Sequence, residues 1–146
     1  MTLMECRASA VWDGSPIKGK GALTTQNGAL RGTHYVAQAT EVGGGGTTNS
    51  AELIAAAHAT SFSIALSDAL NRAGFKAQRI VTTATVTSED LSMEDWTITG
   101  ILLDVVAKVP AAKLSDFIEA AVGAKTGCSI GRLLNTNVSL NARLEN

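Results

Sequence analysis

The run from Asn49 to Gly74, NSAELIAAAHATSFSIALSDALNRAG, constrains the chain more than any other stretch. Asn49 is a favourable N-cap, and Glu52 three residues on completes the pattern of a capping box. Gly74 supplies a left-handed stop at the far end. Between them the Ala- and Leu-rich sequence predicts a helix of about 24 residues and about 36 Å. Leu53, Ile54, Ala57, Ile64, Ala65, Leu66, Ala69 and Leu70 cover most of its circumference rather than one stripe. A helix apolar on most sides is expected to be enclosed, here by sheet or by a second subunit. His58 and Ser61, one turn apart on a shared face, are its polar interruptions.

With 146 residues, the chain is expected to form a single domain, 1–146, around one core. Apolar content of 45% and a net charge of −1 fit an ordinary soluble protein and give no basic surplus for nucleic acid. The start, MTLMECRASAVW, lacks the charged end and apolar run of a secretion signal. His58, Ser61, Ser63, Ser67 and Asp68 make the apolar helix a poor membrane span. Two cysteines, Cys6 and Cys128, exclude a disulfide scaffold and point to the reducing cytoplasm. The sequence has no Cys/His cluster at metal spacing, so neither metal nor other cofactor is expected.

Residues 3–12 read as a strand closed by the turn Asp13-Gly14-Ser15-Pro16. A second strand follows at 18–25, with Gly19 and Gly21 weakening it or marking a bulge. Asn27-Gly28 is a hairpin signal leading into a third strand, Ala29 to about Glu41. The glycines at 43–46 lack the GK[ST] of a phosphate loop and read as a flexible connection. After the long helix, 79–88 and 96–109 read as a hairpin. In its second strand Ile101, Leu103, Val105, Ala107 and Val109 share a face, and Gly100 marks a bulge. Residues 111–125 predict a helix burying Leu114, Phe117, Ile118, Ala121 and Val122. A short helix opens at Gly127-Cys128, and a last strand alternates Val138, Leu140, Ala142 and Leu144. The order βββ-α-ββ-αα-β is an α+β architecture.

AELIAAAHATSFSIALSDAL, followed later by AKTGCSIGRLL, resembles the OsmC/Ohr family of hydroperoxide-reducing proteins. VWDGSPIKGKGALTTQNGAL resembles that family's opening hairpin, and the VP ending at Pro110 recurs in its place. The resemblance implies antiparallel sheets wrapped around a long central helix in an intertwined homodimer. It also implies a role in oxidative and osmotic stress defence, with thiol-dependent reduction of small organic hydroperoxides. In the family one cysteine, in a motif like AAHAxCFS, attacks the peroxide, and a second, in AKxxCPVS, resolves the sulfenic acid. An arginine and the glutamate of NPEEL activate the first thiol.

This sequence departs from the pattern at those positions. Ser61 stands at the place of the attacking cysteine, Ala51 at that of the activating glutamate, and Thr40 or Glu41 at that of the arginine. Cys128 keeps the second cysteine position, and Ser129 replaces the proline after it. A serine cannot pass through a sulfenic acid as a thiol does. Two readings of function therefore stand: a hydroperoxide-class protein whose two-cysteine chemistry is weakened or lost, and a non-catalytic member binding a small apolar ligand at the dimer interface.

The candidate residues also carry plain structural readings. Ser61 can bond the carbonyl one turn back in its helix. A serine nucleophile with His58 as base would need a third group to orient the ring, and the sequence offers no nucleophile elbow. His58 reads as a packed histidine with a backbone or water partner. Glu52 is accounted for by the cap, Cys6 reads as structural, and Trp12 and Trp96 as core or pocket wall. Cys128 is either a small buried thiol or a reactive one at a helix start, where backbone N–H groups favour a thiolate.

Overall fold

The computed structural model describes residues 1–37, 46–92 and 96–146. The chain forms two compact units, Met1–Leu53 and Ile54–Asn146, with the boundary inside the first turn of the long helix. Several expectations fall outside the described residues: the end of the third strand, Thr40, Glu41, the glycines at 43–45 and the tip of the second hairpin at 93–95.

In the first unit, strands β1 (Ala8–Asp13), β2 (Lys20–Thr25) and β3 (Thr33–Tyr35) form an antiparallel meander in that order. The first turn lies where Asp13-Gly14 places it, with Gly14 at φ 105° and the Gly19 N–H donating to the Ser15 carbonyl at 2.8 Å. The second connection is wider than the two-residue hairpin that Asn27-Gly28 suggests. Side chains add to its backbone bonds, which run from the Thr25 N–H to the Leu30 carbonyl and from the Gly28 N–H to the Thr25 carbonyl. The Asn27 carbonyl oxygen accepts from the Ala29 N–H, the Thr25 hydroxyl from Leu30, and the Thr24 hydroxyl from Gly32. Gly21 neither bulges nor breaks β2. A Cβ there would stand 2.3 Å from the Tyr35 ring, so glycine makes room for Tyr35 to lie across its strand partner and reach Trp12 at 5.6 Å. Cys6 is exposed and precedes β1, so it lies outside the strand expected to begin at residue 3.

The long helix α1 (Ser50–Arg72) starts and stops as its caps dictate. The Asn49 side chain accepts from the Glu52 N–H at 2.9 Å, and Gly74 adopts φ 89°. The reciprocal half of the capping box is altered, since the Glu52 carboxylate accepts from the Thr48 hydroxyl at 2.7 Å.

The second unit holds β4 (Arg79–Asp90), β5 (Trp96–Lys108), α2 (Leu114–Gly127), α3 (Ser129–Leu133) and β6 (Asn137–Glu145). β4 and β5 pair antiparallel. Thr87 faces Gly100 and Ser88 faces Ile98, so Thr99 is the extra residue of the bulge that Gly100 suggests. β6 pairs parallel with β5, which corrects the expectation of purely antiparallel sheets. The cause is the crossover. Pro110 and Ala111, the latter at φ 68°, turn the chain into α2 and α3, and these carry it from the C-terminal end of β5 back toward its start, where Asn137 pairs with Gly100.

The core of this unit joins Phe62, Leu66 and Leu70 of α1 to Ile101, Leu103, Val105 and Ala107 of β5 and to Phe117, Ala121 and Ala124 of α2. Val138, Leu140, Ala142 and Leu144 of β6 pack against it, as their alternation predicts. Burial of α1 is one-sided within the chain. His58, Phe62, Leu66 and Leu70, each four residues from the next, make the enclosed stripe, while Ile64 is 71% exposed. On α2 the buried face is Phe117, Ala120, Ala121 and Ala124, and the expected Leu114, Ile118 and Val122 lie outside it. The small alanine face lets the helix axis lie close to its neighbours, and the larger residues are left on the outer side. Trp96, expected in the core or a pocket wall, is exposed.

Candidate functional site

The open side of α1 and the C-terminal end of α2 enclose a cleft of about 890 Å³ within the second unit. Ile64, Ala65, Ala69 and Ala124 give it apolar walls; Thr60, Ser61, Cys128 and Ser129 are its polar and sulfur groups, and Asp68 and Arg72 its charged ones. Cys128 is the junction of two helices. Its N–H closes α2 on the Ala124 carbonyl at 3.0 Å, and its side chain caps α3 by accepting from the Gly131 N–H at 3.2 Å. Extended backbone at φ −68°, ψ 148° separates the helices and aims the sulfur inward, where it is 2% exposed.

Ser61 meets this junction from α1. Its Oγ lies 3.2 Å from the Ser129 Oγ and accepts from the Ile130 N–H at 3.4 Å. The expected bond to the carbonyl one turn back is not formed by Ser61. Ser63 makes that contact, to Ala59 at 2.8 Å, and also donates to Thr82. Ser61 thus ties the long helix to α3 through two weak contacts across the floor of the cleft.

His58 is fully buried, and neither ring nitrogen has a hydrogen-bond partner among the described residues. Burial therefore lowers its pKa, because a charged ring has no compensating neighbour. It does not line the cleft with Ser61; it continues the core stripe of α1, and its Nε2 and the Cys128 Sγ both border the space beside Gly131. Elsewhere in the cleft Asp68 bonds Arg72, and that hydrogen bond, with the attraction between the charges, holds the guanidinium pKa above its ordinary value. Among the described residues no group of His, Cys, Asp and Glu is arranged to hold a metal.

Residues 43–143 match the family described as OsmC-like protein. The chain is also 36% identical to peroxiredoxin OsmC of Escherichia coli over 139 residues, covering 95% of this chain and 96% of the relative. The chain belongs to the OsmC-like family. Solved structures agree on the fold. An OsmC-like protein of Vibrio cholerae superposes with a TM-score of 0.78 at 12% identity, over 96% of this chain and 99% of the other. An organic hydroperoxide resistance protein OsmC of Legionella pneumophila gives 0.70 at 20% identity over the whole of both chains. The organic hydroperoxide resistance protein OhrB of Bacillus subtilis gives 0.64 at 19%, over 95% and 98%.

On this OsmC-like scaffold the structure brings Ser61 and Cys128 into one cleft, as the two helical motifs imply, and leaves His58 buried in the stripe of α1. Glu52 is engaged by Thr48 and Asn49 in the cap of α1. The sequence reading missed Ser129 as the direct partner of Ser61, and Gly131 as the backbone donor to Cys128. The Ser61–Ser129 contact joins residues far apart in the chain, so no local pattern announces it. The Gly131 donor was within reach, because a residue capping a helix start accepts from the third residue on.

Proposed function

We propose that this OsmC-like protein serves hydroperoxide stress defence through a single thiol, Cys128, without the internal disulfide of two-cysteine relatives. The placement of Ser61 and Cys128 on one cleft carries this reading. The serine at the attacking position is held by Ser129 and Ile130, and the one sulfur in the cleft accepts the Gly131 N–H. A small organic hydroperoxide entering between the apolar walls would meet that sulfur. The names of the relatives, a peroxiredoxin and organic hydroperoxide resistance proteins, support the substrate class.

The protein acts, on this reading, as a cytoplasmic homodimer of a single OsmC-like domain. The match across 95% of the chain supports one domain. The outer face of α1 supports the dimer, because Ile64 projects from it at 71% exposure and monomers seldom leave such helix faces open. Helix α1 is long and apolar enough to cross a membrane, but its Phe62, Leu66 and Leu70 are packed in the core. The second reading, a binding protein for a small apolar molecule, is favoured by the 2% exposure of Cys128 and the apolar cleft walls.

The test is hydroperoxide consumption with dithiothreitol, using cumene hydroperoxide and a Cys6→Ser background. Consumption that disappears in Cys128→Ser supports the one-thiol reading. Consumption unchanged by Cys128→Ser overturns the one-thiol reading; none at all with cumene hydroperoxide bound favours the binding protein.

A further inference from the structure

Among the described residues His58 is the one fully buried polar side chain in the core, and nothing in the fold explains its chemistry. An apolar residue would continue the Phe62–Leu66–Leu70 stripe without leaving two ring nitrogens unpartnered, and an unpartnered polar group in a core costs about 1–3 kcal/mol. The position of the ring suggests what it serves. A Cβ built on Gly131 would stand 3.0 Å from the Cys128 Sγ and 3.6 Å from the His58 Nε2. Both atoms therefore border the same point, and the glycine keeps carbon from filling the space between them. That Cβ would also lie 2.8 Å from the Lys125 carbonyl, so no side chain fits there without moving α3.

We infer that His58 is the proton acceptor and positioning residue for Cys128, ring and thiol facing the open point beside Gly131 without a direct hydrogen bond in the resting protein. The inference rests on the one-thiol reading above. Charged neighbours do not take its place. Lys125 donates to the Val138 carbonyl at 3.3 Å, Asp68 and Arg72 bond each other, and Arg132 is exposed. Burial keeps the ring neutral, so a nitrogen lone pair is free, and the thiolate left by the transfer supplies the opposite charge that a buried imidazolium otherwise lacks.

The step balances as follows. The thiol proton of Cys128 passes to His58. The thiolate attacks the terminal oxygen of the hydroperoxide, so the S–O bond forms as the O–O bond breaks. Sulfur is oxidised by two electrons to the sulfenic acid, the hydroperoxide is reduced to an alkoxide, and the imidazolium proton converts the alkoxide to the alcohol. A small thiol reductant then attacks the sulfenic sulfur with loss of water. A second thiol releases Cys128 and leaves with the first as a disulfide.

The experiment uses full-length protein on the Cys6→Ser background and reads two rates at pH 7. These are Cys128 alkylation by iodoacetamide and sulfenic acid formation with cumene hydroperoxide, with circular dichroism to confirm folding. His58→Gln should slow both by about 100-fold, the scale of losing a positioned base. His58→Ala should regain rate with added imidazole and not with pyrazole, a ring of the same size that is far less basic. Slowing without imidazole rescue would reduce His58 to a structural role and overturn the inference. Cys128 oxidised equally fast in parent and His58→Gln would overturn the inference and leave the one-thiol reading standing. Cys128 that is never oxidised in the parent would overturn that reading first, and the pair with it.

Discussion

Cys128 and His58 differ in how far their sequence context reveals them. The cap role of Cys128 follows from a helix start at Gly127-Cys128, and its sulfur does accept from Gly131. The unpartnered burial of His58 does not follow from its spacing to Ser61, because a three-residue offset on a helix allows one residue to face the core and the other the cleft. Burial of the ring has a consequence for stability. Its pKa is lowered on folding from 6.5, so below that value the unfolded chain binds more protons than the native one. Stability from keeping the ring neutral is complete above pH 6.5 and is lost as the pH falls toward the lower native value. Thermal melts at pH 7.5 and 5.5 should therefore show a larger drop in Tm for the parent than for His58→Gln; equal drops would contradict this. At Gly131, substitution by Ala should displace α3 and lower the Cys128 alkylation rate, since the added carbon meets backbone at 2.8 Å. An unchanged rate would mean that α3 yields without moving the sulfur.

At the scale of elements, α1 divides into an enclosed stripe and an open side, and the two sides should respond oppositely to mutation. Leu66→Ala, deep in the core, should cost about 2–5 kcal/mol in denaturant unfolding. Ile64→Ala, measured in the isolated chain, should stay within about 0.5 kcal/mol. The extent of α1 was legible because Asn49 and Gly74 act locally. The parallel pairing of β6 was not, because strand direction depends on where two helices return the chain, and alternation of Val138, Leu140, Ala142 and Leu144 is the same in either direction. Likewise, Asn27-Gly28 specified a turn but not its width, which Thr24 and Thr25 set through their hydroxyls.

For the whole molecule, the helix that is apolar nearly all round in sequence is half-enclosed in the chain, and a second copy is the proposed cover for the rest. Sedimentation at micromolar concentration should show a dimer, and Ile64→Asp should shift it toward monomer; a stable monomeric parent would refute the assembly. The family was readable from two helical motifs because they shape the cleft as well as the fold. What the cleft does was less readable, since it turns on a few side chains, Ser61, Cys128 and Ser129, that come together from distant parts of the chain.

The most direct measurement is the oxidation state of Cys128 after stoichiometric cumene hydroperoxide, read by mass spectrometry with dimedone present on the Cys6→Ser background. The account predicts a dimedone adduct at Cys128 in step with loss of hydroperoxide, and neither in Cys128→Ser. An unmodified Cys128 beside consumed hydroperoxide would contradict it.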